Sequence, residues 1–551
     1  MPEIGHQIVH PRATPRSASF GLFSATFCLA ACTSSNPASP TTDAGDASVT
    51  DSATDVAAEA EAMACGSGAA IPPYVRSVGP DVTFPSGFLW GVASAGMQTE
   101  VGLTHADWYQ WAAVAGHVAN SDNPDHGPDA LHHIADDVKA MTDAGVKAYR
   151  FSIEWSRLFP TKALFDAGTP DAAGVKSYHD LLTALHAAGI RPFVTIHHFA
   201  TPDYLDDITQ PTQPQTFERT EMQASFVKWA TFVGHEYGAQ VDDWITINEP
   251  LVLLIGAYVG GGHPPGSAAN LDRMVAAAKK LIRTHAAAYE ALHAADTVDS
   301  GTGAAARVSI AKHNRAFYPD DPCEDGDIAA AQKTDYIWNE WMYNALVFGD
   351  WDDDLDGTLT GPNDITGDPT LKNHVDFIGV NYYGDATLSS KLSLPYVGGV
   401  PNYTNLGDGL PETDLGWDVF PQGFRKVLSQ LKKYKLPIIV TENGTADGSA
   451  SGGNKQRYLA EHVWEMGRAI ADDGLDIQGY FFWALTDNFE WGNGFCPKFG
   501  LYDVDLTSAA RTRTPYPAAT LFKTISTGMK ITASMIDALP AYAAPSPCKG
   551  P

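Results

Sequence analysis

From Val82 onward the chain alternates short apolar runs with longer stretches in which apolar residues recur at helical spacing. Short strands followed by amphipathic helices mark βαβ units, whose strands lie parallel in one sheet. Eight runs read as strands: Phe88–Ala93, Ala148–Ile153, Pro192–His197, Trp244–Asn248, Val308–Lys312, Val375–Val380, Ile438–Thr441 and Gly479–Ala484. Eight such units predict an α/β fold, a single (β/α)₈ TIM barrel with long loops at its C-terminal face, over residues 71–530. The competing arrangement is an open doubly wound sheet, but no glycine-rich phosphate loop follows the first strand, which weakens its nucleotide-binding form. At or just past the strand ends stand Gln98, Arg150, His198, Asn248 with Glu249, Asn314, Asn381 with Tyr383, Glu442 with Asn443, and Trp483. In a barrel all those ends open on one rim, so these polar and aromatic side chains are expected to converge there.

The stretch before residue 71 has a different pattern. Arg12 and Arg16 precede an apolar run from Phe20 to Ala31 that is too short to span a bilayer and reads as a secretory leader. It ends Leu29-Ala30-Ala31-Cys32, so residues 1–32 resemble a bacterial lipoprotein signal with Cys32 as the lipid attachment point; a plain signal with a chance cysteine is the alternative. Residues 33–70 are dominated by Ala, Ser, Thr and Asp with no aromatic residue, an acidic tether unable to bury enough surface to order itself. Residues 531–551 read as a C-terminal tail. The expected location is the cell envelope or outer membrane, held there by the lipid at Cys32, or the secreted fraction.

Composition changes this picture in two respects. Hydrophobic residues make up 44% of the 551 and Trp occurs 13 times, enough for one large core. The formal charge of −29 repels phosphate backbones and anionic headgroups, so nucleic acid and electrostatic membrane binding are excluded as partners and a neutral or cationic small molecule fits better. Of six cysteines, setting aside Cys28 and Cys32 leaves Cys65, Cys323, Cys496 and Cys548, with three possible connectivities. Because barrel termini tend to meet at one face, Cys65–Cys548 is favoured, with Cys323–Cys496 by elimination and four free thiols as the alternative.

Two segments carry the chemistry: Thr246-Ile247-Asn248-Glu249-Pro250 and Val440-Thr441-Glu442-Asn443-Gly444. Each sets one carboxylate at the end of an apolar strand, the fourth and the seventh, so the two can face each other across the rim. Paired carboxylates across a pocket suit glycoside hydrolysis: one protonates the leaving oxygen while the other stabilises or attacks the anomeric carbon. A carboxylate at a helix N-terminus is the ordinary explanation for either one alone. Asp352-Asp353-Asp354-Leu355-Asp356-Gly357 has the alternating oxygens and glycine of a calcium loop, but Asn363 stands where the closing glutamate belongs, followed by Asp364. It reads as an acidic solvated loop, with calcium as the alternative; no metal or cofactor is expected at the catalytic rim.

Phe84 to Gly91, Tyr149 to Arg157, Thr246 to Pro250, Asp376 to Tyr383, Thr441 to Gly444 and Asp487 to Trp491 occur in the order seen in glycoside hydrolase family 1, which this chain resembles from about Phe84 to Phe522. The stretch from Ala93 to Trp111 is nearest in pattern to the archaeal-type β-glycosidases of that family. The resemblance implies a retaining exo-acting β-glycosidase of the β-glucosidase or β-galactosidase type, acting on di- or oligosaccharides and aryl glucosides without a cofactor. It implies Glu249 as acid/base and Glu442 as nucleophile, with Arg150, Asn381 and Tyr383 supporting them. Gln98, His198, Asn248, Trp483, Glu490 and Trp491 would bind the sugar, the amides, imidazole and carboxylate meeting hydroxyls and the indoles covering the apolar face. Phe199 departs from the pattern, since tryptophan is commoner there, and removes one hydrogen-bond donor. The acidic Glu490-Trp491 pair argues against 6-phosphorylated sugars, which a carboxylate there would repel. Transfer to an acceptor from the same covalent intermediate, and a non-catalytic surface sugar-binding protein on a dead barrel, are the alternatives; the intact glutamates oppose the second.

Overall fold

The computed structural model describes residues 70–548 apart from 73, 77–78, 393–395, 397, 404–409 and 450–451. The leader, Cys32, Cys65 and the tether up to residue 69 therefore lie outside the described residues. Eight strands close a parallel barrel: β1 (Leu89–Ala93), β2 (Ala148–Ser152), β3 (Arg191–Thr195), β4 (Asp243–Asn248), β5 (Arg307–Pro319), β6 (Ile378–Ser389), β7 (Ile438–Asn443) and β8 (Ile477–Trp483). Each pairs in parallel with the next, and β8 returns to β1 with Gly479 opposite Leu89 and Trp483 opposite Ala93. All eight expected strands are present, with β5 and β6 running seven and nine residues beyond their expected ends, to Pro319 and Ser389. Both remain paired beyond the rim, where Ala316 faces Asp385 and Pro319 faces Leu388.

Side chains pointing inward from alternate positions fill the barrel. Ala93, Ala148, Phe193, Ile245, Ala311, Ile439 and Phe481 form this inner cluster. The Phe193 and Phe481 rings, centroids 4.8 Å apart, close the barrel below the rim. A Cβ on Gly91 would lie 2.4 Å from Phe481, so glycine is what lets that ring sit across β1.

Around the barrel run α1 (Ile134–Asp143), α2 (Ala172–Ala187), α3 (Met222–Tyr237), α4 (Leu271–Ala295), α5 (Asp325–Asp335), α6 (Pro421–Leu431), α7 (Gly453–Ala471) and α8 (Pro517–Gly528). In α6, Pro421 fixes the first turn and Phe424, Val427, Leu428 and Leu431 bury the stripe that faces the sheet. No helix among the described residues is long and apolar enough to cross a membrane.

The segment after residue 530, expected as a tail, lies against α7. Asn454 of that helix exchanges two hydrogen bonds with the backbone of Ala543, and Arg457 donates to the carbonyls of Leu539 and Pro540. Tyr74 and Tyr542 both donate to Glu461, which Arg457 also pairs, so the two ends of the domain meet on one buried carboxylate. The ends of the domain do meet, as the expected Cys65–Cys548 pair requires, yet Cys548 travels further, to Asp414, whose carbonyl accepts its N–H at 2.9 Å. There it is joined to Cys496, which overturns both favoured pairings; Cys323 is itself disulfide-bonded. Non-reducing peptide mapping of protein made in an oxidising compartment should recover Cys496 linked to Cys548. The bridge closes a separation of 52 residues, so Cys548→Ser should lower the unfolding free energy by about 2–4 kcal/mol, read from denaturant midpoints.

Candidate active site

A pocket opens at the C-terminal rim and is lined by Gln98, His198, Asn248, Glu249, Tyr383, Glu442, Trp483, Glu490 and Trp491. Nine of the expected site residues thus share one cavity, and Arg150 and Asn381 stand directly behind it.

Glu249 leaves β4 with a left-handed backbone, φ +43°, and Pro250 begins the short helix that follows. Its amide donates to the Ala311 carbonyl of β5 at 2.6 Å, an anchor for a conformation that non-glycine residues rarely adopt. Glu442, at the end of β7, accepts from Arg150 Nη1 at 2.5 Å on one oxygen and from the Tyr383 hydroxyl at 2.6 Å on the other. Arg150 Nη2 also donates to Asn248 Oδ1 at 2.7 Å, and the Asn381 amide donates to that same oxygen and to Glu249 Oε1, the latter at 2.8 Å. One hydrogen-bonded chain therefore links the carboxylates of β4 and β7.

The two carboxyl groups are unequal in their surroundings. Burial and then the charge of Glu442 push the Glu249 carboxyl up to about 8, with Asn381 and Arg150 opposing weakly. Burial also raises Glu442, but Arg150 and the Tyr383 hydroxyl act directly against it. The group holding a guanidinium and a phenol donor ionises first, and its negative charge then keeps the proton on its neighbour.

Deeper in the pocket, Gln98 Nε2 donates to Glu490 and to Asn488, both at 3.1 Å, while its Oε1 is buried with no partner. Asn248 Nδ2 lies 3.1 Å from His198 Nε2; with the amide as donor, the imidazole hydrogen falls on Nδ1, which likewise has no partner. Burial pushes the His198 pKa well down, so this ring is neutral. A buried acceptor and a buried donor left unmet by the protein suit the hydroxyls of a polyol. Trp483 and Trp491 lie nearly parallel to His198, at 5.8 and 6.1 Å between centroids. The Thr-Glu-Asn-Gly run ends in glycine for a steric reason: a Cβ on Gly444 would sit 1.9 Å from the Trp483 carbonyl oxygen. That close approach ties the carboxylate of β7 to the indole of β8.

A family model described as glycosyl hydrolase family 1 matches residues 81–530. The chain belongs to that family. It is 30% identical to a β-galactosidase from Pyrococcus woesei over 491 residues, 78% of this chain and 94% of that relative. It is 31% identical to β-glucosidase A of Thermotoga maritima over 449 residues, again 78% of this chain and 94% of the relative. Among solved structures it superposes on the β-glycosidase from Pyrococcus horikoshii with a TM-score of 0.71 at 27% identity, covering 84% of this chain and 99% of the other. It is a family 1 β-glycosidase, an O-glycoside hydrolase on a (β/α)₈ barrel.

This glycosidase has a second half to its pocket that the sequence reading missed: His263, His313, Arg315, Trp338, Tyr403, Trp417 and Phe499 line the cavity. Because β5 continues to Pro319, His313 and Arg315 share the alternation of Ala311 and reach the cavity. Asn314, expected at the rim, turns away and donates to Asn339 at 3.1 Å. Phe199, at φ +68°, packs between Trp491 and His263 at 5.1 and 5.5 Å. The acidic loop is separate from this pocket. Carboxylate oxygens of Asp352, Asp354 and Asp356 lie within 4.8 Å of one another, while both Asp364 oxygens accept backbone N–H groups from Asp353 and Gly361.

Proposed function

We propose that this protein hydrolyses β-linked glucosides or galactosides from the non-reducing end with retention of configuration. Glu442 attacks the anomeric carbon to form a covalent glycosyl-enzyme, and Glu249 protonates the leaving oxygen, then activates water for the second displacement. The observation that carries the reading is the asymmetry of the two carboxyl groups: Arg150 and Tyr383 hold Glu442 as an anion, while Glu249 has only the Asn381 amide and keeps its proton. Asn248, whose amide is oriented by Arg150, would meet the sugar 2-hydroxyl. Gln98, His198 and Glu490 would take the remaining hydroxyls, and Trp483 and Trp491 would cover the ring. No cofactor enters any step. Proton NMR of an aryl β-glucoside or β-galactoside during turnover tests the reading: the first free sugar formed should be the β-anomer, and an α-anomer appearing first would defeat it.

The sequence before the barrel supports an exported protein fixed to the envelope by lipid on Cys32, with residues 33–70 as the tether. Cys32→Ser should then leave the precursor unprocessed or release it as soluble enzyme. Equal detergent partitioning of the native protein and this variant would rule the anchor out.

A further inference from the structure

We propose that Arg315 makes the outer half of the pocket a site for leaving groups that carry a carboxylate, so that β-glycosides of planar aromatic acids are preferred over their neutral analogues. The inference rests on the glycosidase reading above and specifies its aglycone. Among the described residues that line the pocket, Arg315 is the one lysine or arginine. It is 5% exposed. Its Nη1 donates to the neutral backbone carbonyl of Asp385 at 2.5 Å, and its guanidinium carbon stands 4.8 Å from the centre of the Tyr403 ring. Its Nε–H is buried with no partner. The stack and the carbonyl fix the plane of the guanidinium and leave the Nε–H as its unmet donor. A desolvated guanidinium with an unused donor is costly in isolation and is the geometry that a carboxylate satisfies.

The surroundings specify the rest of the ligand. Trp338, Tyr403, Trp417 and Phe499 wall this half, with Trp338 and Tyr403 at 6.5 Å and Trp417 and Phe499 at 6.4 Å between centroids, which suits a flat ring. Tyr383, which bonds Glu442, faces His313 at 6.0 Å, and His313 accepts from Trp338 at 2.9 Å, so this wall runs outward from the carboxylate of β7. Burial, helped by the charge of Arg315, keeps His313 neutral, which leaves the guanidinium as the cation of this wall. The inner half holds Glu442 as an anion between Arg150 and Tyr383, and that charge repels a second anion. A substrate with a sugar at one end and a carboxylate at the other is thereby oriented, sugar inward and anion outward. The net charge of −29 opposes the approach of any anion, but that field is screened over about 8 Å at physiological ionic strength, whereas Arg315 acts at contact.

The test uses two β-glucosides that differ only in charge, with 4-hydroxybenzoate or its methyl ester as leaving group. The ester leaves more readily, so intrinsic reactivity works against the expected result. The native enzyme should favour the acid in kcat/KM, and Arg315→Met should lower the acid-to-ester ratio by roughly tenfold or more, the scale of a charge-assisted hydrogen bond. Arg315→Lys should restore part of it, having the charge without the fork. The ratio is unaffected by a general loss of folding or turnover. Binding of free 4-hydroxybenzoate against its methyl ester, followed by tryptophan fluorescence, reads the same site without catalysis. Selective binding of the acid with neither these glucosides nor the matching β-galactosides hydrolysed would overturn the glycosidase reading and keep the anion site. A native ratio near one, or a ratio unchanged in Arg315→Met, would show that the guanidinium only braces Asp385, and the proposal would be lost.

Discussion

With Glu442 replaced by alanine, hydrolysis of aryl β-glycosides should fall by about 10⁴–10⁶-fold, the scale on which loss of an enzymic nucleophile acts, and added azide should restore turnover to give the α-glycosyl azide. The covalent intermediate cannot form without this carboxylate. What remains is informative, because Arg150 stays in place, fully buried and held by Asn248 and Thr195. Its guanidinium has then lost the anion it paired with, and Tyr383 has lost its acceptor. A small anion entering the vacated space meets both donors and attacks the anomeric carbon from the face that Glu442 used. A single displacement inverts the centre, so the product is α. Arg150→Met should do less damage in a different way: Glu442 stays, but without its cation it gains a proton more readily, and the acid limb of the pH–kcat/KM profile moves up. An acid limb unmoved by that change would mean that burial and Tyr383 alone set the ionisation of Glu442.

The barrel was legible because each strand is an apolar run of ordinary length followed by helical spacing, and the errors fall where that contrast fades. In Arg307 to Pro319 every residue after the first is buried, so no polar alternation marks where the strand meets the rim. With the strand expected to end at Lys312, Asn314 falls at the rim and His313 and Arg315 go unnoticed, although their positions follow from simple alternation once the strand is extended. Val375 and Phe377 are buried ahead of β6, and their apolar character pulled its expected start three residues too early. Glu249, Glu442 and the residues around the inner pocket were readable because they sit in compact runs at strand ends. The outer wall was not, since His263, Tyr403, Trp417 and Phe499 come from separate loops with no shared period and are brought together only by folding. The cysteines failed for a related reason: the nearness of the chain ends is real at Glu461, but nothing local reveals that the last residues run on to the loop that carries Trp491 and Cys496.

Glu249→Ala should fail differently. Proton donation disappears, at a cost on the order of 10²–10⁴ for glycosides with poor leaving groups, while a dinitrophenyl glycoside, which departs without a proton, still forms the intermediate on Glu442. Deglycosylation then slows, because the residue that activates water is gone. Azide needs no general base and opens the intermediate directly. Two inversions make that product the β-glycosyl azide. The pH profile carries the same assignment. Burial and the charge of Glu442 raise the Glu249 carboxyl to about 8, so the protonated, active form persists below that pH and is lost as the pH rises through it. The alkaline limb of kcat/KM should lie there in the native enzyme and vanish for the dinitrophenyl glycoside in Glu249→Ala. Glu490 is also raised to about 8, by burial and then by Glu442, so Glu490→Gln separates the two: it should weaken sugar binding and leave the alkaline limb standing. The decisive measurement is NMR of the azide products. The same anomer from both alanine variants, or α from Glu249→Ala, would reverse the roles of the two glutamates.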